Sequence, residues 1–269
     1  MPGARQWLGG LLLRAPAPLR ALREIPILGG LIHRVSHRLV PSDEKVWAQV
    51  EGGPAKGLWM ELNPRTGAHY LRGDGEAPTQ ELLKKRLKPG MVFYDLGANV
   101  GLFSILAARL VGPAGKVVSF EPDPETAARL RRNLARNGFH NATVIQAGVW
   151  SSSGKQNFMA ADASSPDHGV GRFEAESGGA AGTDVECVAL DDFVASGPAP
   201  DAIKCDVEGA EVEVLRGAAG LLQSRHPWIV CELHSESNAQ RVKEILTEAG
   251  YRVESVDSNH IVAVPKQAL

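Results

Sequence analysis

The stretch Met91-Val92-Phe93-Tyr94-Asp95-Leu96-Gly97-Ala98-Asn99-Val100-Gly101 decides how this chain is read. It begins as an apolar run of β-formers, passes an acid at Asp95 and ends in a glycine-bracketed turn. Leu102, Ile105, Leu106, Ala108 and Leu110 then recur at helical spacing. Downstream the alternation repeats. Strands are expected over 116–120, 143–147, 202–206 and 228–233, with a helix over 124–137 that Gly138 closes. Val212, Leu215, Ala219 and Leu222 predict one helix after the fourth strand, and a further helix spans 238–249 before Gly250. Segments 251–256 and 260–264, joined at Asp257-Ser258-Asn259, predict a terminal antiparallel hairpin. Strands alternating with helices at this spacing form βαβ units around a parallel sheet, so the fold class is α/β.

Upstream the pattern loosens. Residues 78–87 read as a helix, with Leu82, Leu83 and Leu87 on one side and Lys88-Pro89-Gly90 ending it. Residues 44–70 read as short strands with turns at Gly52-Gly53-Pro54 and Asn63-Pro64. Residues 1–40 carry six arginines and the single acid Glu24, a net charge of +5, interleaved with Leu19, Leu22, Ile27, Leu31, Ile32, Val35 and Leu39. Pro16, Pro18 and Pro26 cut this stretch into short helices, so the favoured reading is a helical cap. The alternative is a peripheral contact with anionic membrane. The chain therefore divides into an N-terminal helical and β extension over 1–85 and a core domain over 86–269.

Composition narrows the function. Apolar residues at 43% and charged residues at 22% exclude a disordered or collagen-like chain. The 29 basic and 31 acidic residues nearly cancel, so no whole-protein field draws in nucleic acid. Cys187, Cys205 and Cys231 are widely spaced and form no disulfide or zinc framework, which fits a cytoplasmic protein. Oligomeric state leaves no mark on the sequence.

The quoted turn resembles a nucleotide loop with a difference. Gly97 and Gly101 are expected to admit close backbone approach to a ligand, and Glu121, at the end of the second strand, to accept ribose hydroxyls. Asn99 stands where a diphosphate would favour glycine, and Asp95 would repel phosphate. That combination favours a cationic nucleoside without phosphate, S-adenosylmethionine (SAM), over NAD(P).

At this point the ordered motifs identify a resemblance. Val92 to Gly101, Phe120-Glu121-Pro122, Leu190-Asp191-Asp192-Phe193, Ile203-Lys204-Cys205-Asp206-Val207-Glu208-Gly209-Ala210-Glu211 and Glu232-Leu233-His234 together resemble the FkbM family of SAM-dependent methyltransferases, over about residues 90–265. The resemblance implies a class I methyltransferase fold, a Rossmann-like, mostly parallel seven-stranded sheet with a reversed last strand. It also implies O-methylation of a hydroxyl on a small-molecule, sugar or lipid-like metabolite. Asp95, Gly97, Asn99 and Gly101 would line the methionine side, Glu121 and Pro122 the ribose, and Gln146, Ala147 and Gly148 the adenine, with Asp206 beside the cofactor. The alternatives are an NAD(P)-dependent oxidoreductase and a non-catalytic SAM-fold interaction protein.

The chemistry asks for alignment, exclusion of water and removal of a hydroxyl proton. His234, titrating nearest neutral pH, is the expected base, with Asp206 and Lys204 beside it. Glu208 and Glu232 are expected to meet the acceptor, as are His168 and Arg172 from a Gly-, Ala- and Ser-rich segment over 160–183 that would form a lid with Phe173. Asp206, Glu208, Glu232 and His234 also offer ligands for Mg²⁺ and a substrate diol. Carboxylates at strand ends are common without metals, so the adopted reading is metal-free.

Overall fold

A computed structural model describes residues 4–15, 44–159, 172–173 and 182–266. The chain divides into two compact units, Met1–Ala77 and Pro78–Leu269. No helix among the described residues is long and apolar enough to cross a membrane.

In the first unit, helix α1 (Ala4–Leu13) precedes a hairpin of β1 (Val46–Gln49) and β2 (Trp59–Leu62), paired antiparallel from Val46↔Leu62 to Gln49↔Trp59. Period-2 alternation buries Val46, Ala48, Met60 and Leu62. A short α2 (Ala68–Arg72) follows. The basic segment from Pro16 to Val40 lies outside the described residues.

α3 (Ala77–Arg86) leads into the second unit, and the boundary expected at 85 falls inside it. Then come β3 (Val92–Leu96), α4 (Leu102–Val111), β4 (Lys116–Phe120), α5 (Pro124–Arg136) and β5 (Ala142–Ile145). A smaller sheet is built from β6 (Gly148–Val149), β7 (Gly154–Met159), β8 (Arg172–Phe173) and β9 (Thr183–Val188). The chain continues with α6 (Leu190–Val194), β10 (Ala202–Cys205), α7 (Glu211–Arg216), α8 (Ala219–Ser224) and β11 (Trp228–Glu232). It closes with α9 (Glu236–Glu248), β12 (Tyr251–Ser255) and β13 (His260–Pro265).

The main sheet has seven strands in the order β12-β13-β11-β10-β3-β4-β5. The β11–β10–β3–β4–β5 pairings are parallel, and β13 runs antiparallel to both β11 and β12. This is the expected sheet with its reversed last strand. Strand order turns back between β3 and β10, the place where open α/β sheets hold ligands beyond their C-terminal ends. One sheet face packs Tyr94, Leu96, Phe120, Ile203 and Cys205 against apolar side chains of α7, α8 and α9. Phe193 of α6 joins Tyr94 and Phe120 there, with ring centroids 5.0 to 5.8 Å apart. The opposite face carries the register row Lys204–Asp95–Ser119 towards α4, where Ser104 meets Asp95 and Ser119.

Two elements depart from the sequence reading. The single helix expected after β10 is broken into α7 and α8, because Gly217 passes against the chain at Trp150, where a Cβ would lie 2.1 Å from the Trp150 carbonyl oxygen. Ala218 is thereby buried and Ala219 exposed. The smaller sheet was not expected: β7 reads Gly-Lys-Gln-Asn-Phe-Met, with Phe158 its one buried side chain, too polar for a strand signal. Of the expected lid, the backbone of Arg172–Phe173 pairs with β7, while His168 and the side chains of Arg172 and Phe173 lie outside the described residues.

Candidate active site

The loop after β3 is held from inside. Gly97 and Ala98 donate to the Phe120 carbonyl oxygen at 3.1 and 2.9 Å, and Gly101 donates to that of Ala98 at 2.9 Å. Asn99 N–H donates to Glu121 Oε2 at 2.9 Å, and Val100 N–H to Asn99 Oδ1 at 2.7 Å. Five successive N–H groups thus have protein acceptors. A diphosphate cradle needs such groups turned to the ligand, and this loop is not one.

The glycines correct an expectation. Gly97 has φ +73°, and a Cβ there would lie 1.8 Å from the Asp206 carbonyl oxygen. Gly101 has φ +93°, and its Cβ would meet Leu130 Cδ1 at 2.1 Å. The room expected for a ligand is taken by the protein's own atoms. These residues are glycine because the loop is wedged between β10 and α5. Asn99, at φ +48°, adopts the left-handed conformation that asparagine tolerates best among non-glycine residues.

Glu121 sits at the end of β4 with 7% exposure. Its Oε2 takes the Asn99 N–H and its Oε1 the Asp123 N–H, each at 2.9 Å. Burial pushes its carboxyl up to about 7, against those two hydrogen bonds and with the charges of Asp123 and Asp95 adding to the rise. Each oxygen keeps a lone pair for a ribose hydroxyl. Pro122 is half-buried, and Asp123 caps α5 by accepting from Thr126 N–H at 2.7 Å. Asp95 is buried beneath α4, its Oδ2 accepting from Ser104 Oγ at 2.5 Å, while Ser104 and Ser119 hydroxyls lie 2.8 Å apart. After β5, Gln146 is exposed, and Ala147 and Gly148 are buried beside the strand that receives Glu121 N–H. A hydroxyl-accepting carboxylate beside a loop with no phosphate-binding N–H fits an adenosyl sulfonium and not a dinucleotide.

Beyond β10 and β11 lies a second group. Lys204, 3% exposed, donates from Nζ to Asp206 Oδ2 at 2.7 Å and stands 4.5 Å from the Phe103 ring centroid. Burial works against the charge on Asp206, but Lys204 outweighs it and holds the carboxyl below its usual range. His234, its side chain 21% exposed, places Nδ1 2.6 Å from Oε1 of the fully buried Glu211. Its Nε2 lies 3.4 Å from Glu208 Oε2 and 3.6 Å from Asp206 Oδ1. Asn238 of α9 donates to Glu211 Oε2 at 2.7 Å and to the Gly209 carbonyl oxygen at 2.8 Å. Glu232 meets His260, with Nε2 3.4 Å from Oε2, and His260 Nδ1 lies 2.8 Å from Asp257 Oδ1.

The neutral base expected at His234 is not what the geometry makes. Burial lowers the affinity of the ring for a second proton, but Glu208 and Glu211 override it and raise the imidazole to about 11. An imidazolium has no lone pair for a substrate proton. Sequence reasoning also missed working residues. Glu211 reads as a helix-start acid yet is buried against His234, and Asn238 gives no signal on an exposed helix start. Ser104 left a trace, as a polar residue inside an apolar helical stripe.

A doubly wound, mostly parallel seven-stranded sheet with this strand order and an antiparallel C-terminal pair is the fold of a class I SAM-dependent methyltransferase. The sequence profile described as the Methyltransferase FkbM domain matches residues 95–253, and the chain belongs to that family. It is 31% identical over 216 residues to the hexuronic acid methyltransferase AglP of Haloferax volcanii, covering 79% of this chain and 84% of that one. It is 39% identical over 90 residues to the 31-O-demethyl-FK506 methyltransferase FkbM of Streptomyces tacrolimicus, covering 34% of this chain and 30% of that one. The crystal structure of an FkbM methyltransferase from Methylobacillus flagellatus superposes with a TM-score of 0.49 at 19% identity, over 66% of this chain and 44% of that one. The nicotinamide oxidoreductase and the non-catalytic alternatives fall with this assignment.

Proposed function

We propose that the enzyme methylates a hydroxyl oxygen of a small polyhydroxylated acceptor, a sugar or sugar acid foremost. The observation that carries this is the wedge of Gly97 against the Asp206 backbone, which sets beside the loop at 97–101 the residue around which Glu208, Glu232 and His234 gather. Carboxylates in that place accept hydrogen bonds from acceptor hydroxyls and repel phosphate-rich acceptors such as nucleic acid. The named substrate of AglP, a hexuronic acid, supports the same chemistry.

When bound, SAM supplies a methyl group on a sulfonium, open to in-line displacement. Glu121 holds the ribose and, through Asn99 N–H, fixes the loop against it. Lys204 pins Asp206 Oδ2 and leaves Oδ1 turned towards His234. Glu208, with a side chain 30% exposed, is the carboxylate placed to take the proton that the acceptor hydroxyl gives up as its oxygen gains the methyl group, with S-adenosylhomocysteine leaving. Alignment and exclusion of water account for most of the rate in such a displacement.

The test uses SAM carrying a deuterated methyl group, with hexuronic acids, neutral glycosides, polyols and amines as acceptors. The expected product is a methyl ether on a sugar-type hydroxyl, read by mass spectrometry. Methylation confined to amines, or to nucleic acid, overturns the proposal. Contact of residues 1–40 with anionic membrane stays a second proposal, supported by the exposure of Trp7 and Leu11 on α1. It fails if neither the full chain nor a chain lacking residues 1–40 floats with anionic vesicles.

A further inference from the structure

We infer that Glu211 and Asn238 are positioning residues for Glu208. They tie the turn that carries Glu208 and the His234 ring into one frame, and so fix the carboxylate that takes the acceptor proton. That role of Glu208 rests on the function proposed above; the frame itself does not.

Glu208 sits in a strained turn. Ala210 N–H donates to the Val207 carbonyl oxygen at 3.2 Å, and between them lie Glu208 at φ +50° and Gly209 at φ +98°. Two successive positive φ angles are those of a type I′ turn, in which glycine, asparagine and aspartate dominate. Other side chains are disfavoured there by the contact of Cβ with the following carbonyl oxygen. Glutamate is therefore not the residue this turn selects. Such strain persists where the surroundings impose it, and it gathers at functional sites. Here it leaves Glu208 partly exposed, with Oε2 3.4 Å from His234 Nε2.

Two side chains impose it. Glu211, with no exposed surface, accepts the Gly209 N–H on Oε1 at 2.9 Å, and the same oxygen lies 2.6 Å from His234 Nδ1. One buried oxygen thus reaches both the turn beneath Glu208 and the ring that Glu208 faces. Asn238 closes the frame from α9, its Nδ2 donating to Glu211 Oε2 at 2.7 Å and to the Gly209 carbonyl oxygen at 2.8 Å. The peptide groups on either side of Gly209 are therefore bonded, one to each residue. A Cβ placed on Gly209 would meet nothing within 4 Å, so hydrogen bonds rather than packing hold that side of the turn. Glu211 offers an acceptor no surface to touch and acts through Glu208 and His234.

Methyl transfer from deuterated SAM to glucuronic acid is measured for the full chain, Asn238→Ala, Glu208→Gln and the double variant. Asn238→Ala is expected to lower kcat about tenfold to hundredfold, with KM for the acceptor and affinity for S-adenosylhomocysteine held within about twofold. Added to Glu208→Gln, it is expected to cost less than about twofold more, because it acts through Glu208. A residue that only supports the fold would multiply its loss into the double variant. Asn238→Asp keeps the shape without the donated bonds, and carries the test if Asn238→Ala does not fold. Proton NMR of the His234 ring N–H, assigned by its loss in His234→Gln, needs no acceptor; the signal is expected to shift in Asn238→Ala as Glu211 loses its orientation. Unchanged kcat in a folded Asn238→Ala chain, losses that multiply, or an unmoved ring proton overturns the inference. A parent chain that methylates no hydroxyl overturns the proposed function alone, since the ring proton, and the same cycle on an amine product, still decide the frame.

Discussion

The loop at 97–101 and the group spanning Lys204 to His234 stand side by side at the strand ends, and they differ in where their polar atoms are committed. In the loop, five successive N–H groups are bonded to protein acceptors and both glycines are dictated by neighbouring protein atoms. In the second group, the carboxylates of Glu208 and Asp206 face one imidazole nitrogen at 3.4 and 3.6 Å. The loop is a finished wall, whose part in binding is to be in the right place. The group beyond it holds charge that packing alone does not require. Lys204 joins the two, with Phe103 of α4 on one side and Asp206 on the other.

The wall is most sensitive at Gly97. A Cβ at 1.8 Å from a backbone oxygen, on a residue at φ +73°, has no flexible neighbour to move aside. Gly97→Ala is expected to cost upwards of ~5 kcal/mol, enough to unfold a domain of ordinary stability. Gly101→Ala presses instead on the end of the Leu130 side chain and is expected to cost less. Urea denaturation of both variants measures this, and a Gly97→Ala chain as stable as the parent would mean the wall is not wedged.

Lys204→Met comes next. It leaves the Asp206 carboxylate without its closest cation, and losing one partner of such a pair costs about 4 kcal/mol. If the link is real, the variant also weakens S-adenosylhomocysteine binding, because Phe103 loses its partner at the start of α4. Calorimetry alongside denaturation separates the two effects. Stability lost with affinity intact would show that the two regions act independently.

Much of the wall and little of the second group was legible in the sequence. The β-former run to Leu96, the helical stripe after it and Glu121 at the next strand end are local patterns, and the sheet follows from them. The purpose of the glycines was not legible, since Asp206 and Leu130 reach them only through the fold. His234 shows the same limit. Its reading as the base used the ordinary imidazole value, and the carboxylates that change it, Glu208 and Glu211, come from the connection after β10 and the start of α7. The small sheet was missed because β7 is polar and its pairing with β9 crosses a long stretch of chain.

Glu121 makes the wall sensitive to pH. Its carboxyl is raised from about 4.5 unfolded to about 7 folded, so the fold favours its neutral form. The stability it contributes is fully present below pH 4.5 and is lost as pH rises through 7, about 3 kcal/mol in all. Glu121→Gln does not titrate, so the difference in urea stability between the two proteins from pH 5 to 8 isolates this group. The parent is expected to lose ground to the variant across that window. Its affinity for S-adenosylhomocysteine is expected to rise over the same window, since the ionised form is the better acceptor for ribose hydroxyls, while that of the variant stays flat. Parallel stability curves would show that Glu121 is already ionised in the folded chain.

The smallest effect is expected at Ser235, which caps α9 by accepting from Asn238 N–H at 3.1 Å. Ser235→Ala removes an N-cap worth about 1 kcal/mol, a shift of about 2–4 °C in Tm for a unit of this size. Its value lies in what it disturbs. Asn238 stands in the first turn of that helix and orients Glu211, which in turn fixes the His234 ring, whereas the N–H groups of the loop at 97–101 bond to Phe120, Glu121 and the loop itself. Loosening the helix start should therefore lower kcat, by blurring the imidazole position, and leave S-adenosylhomocysteine affinity where it was. A fall in cofactor affinity instead would mean that the wall leans on the group beyond it, and that the two regions are one cooperative unit.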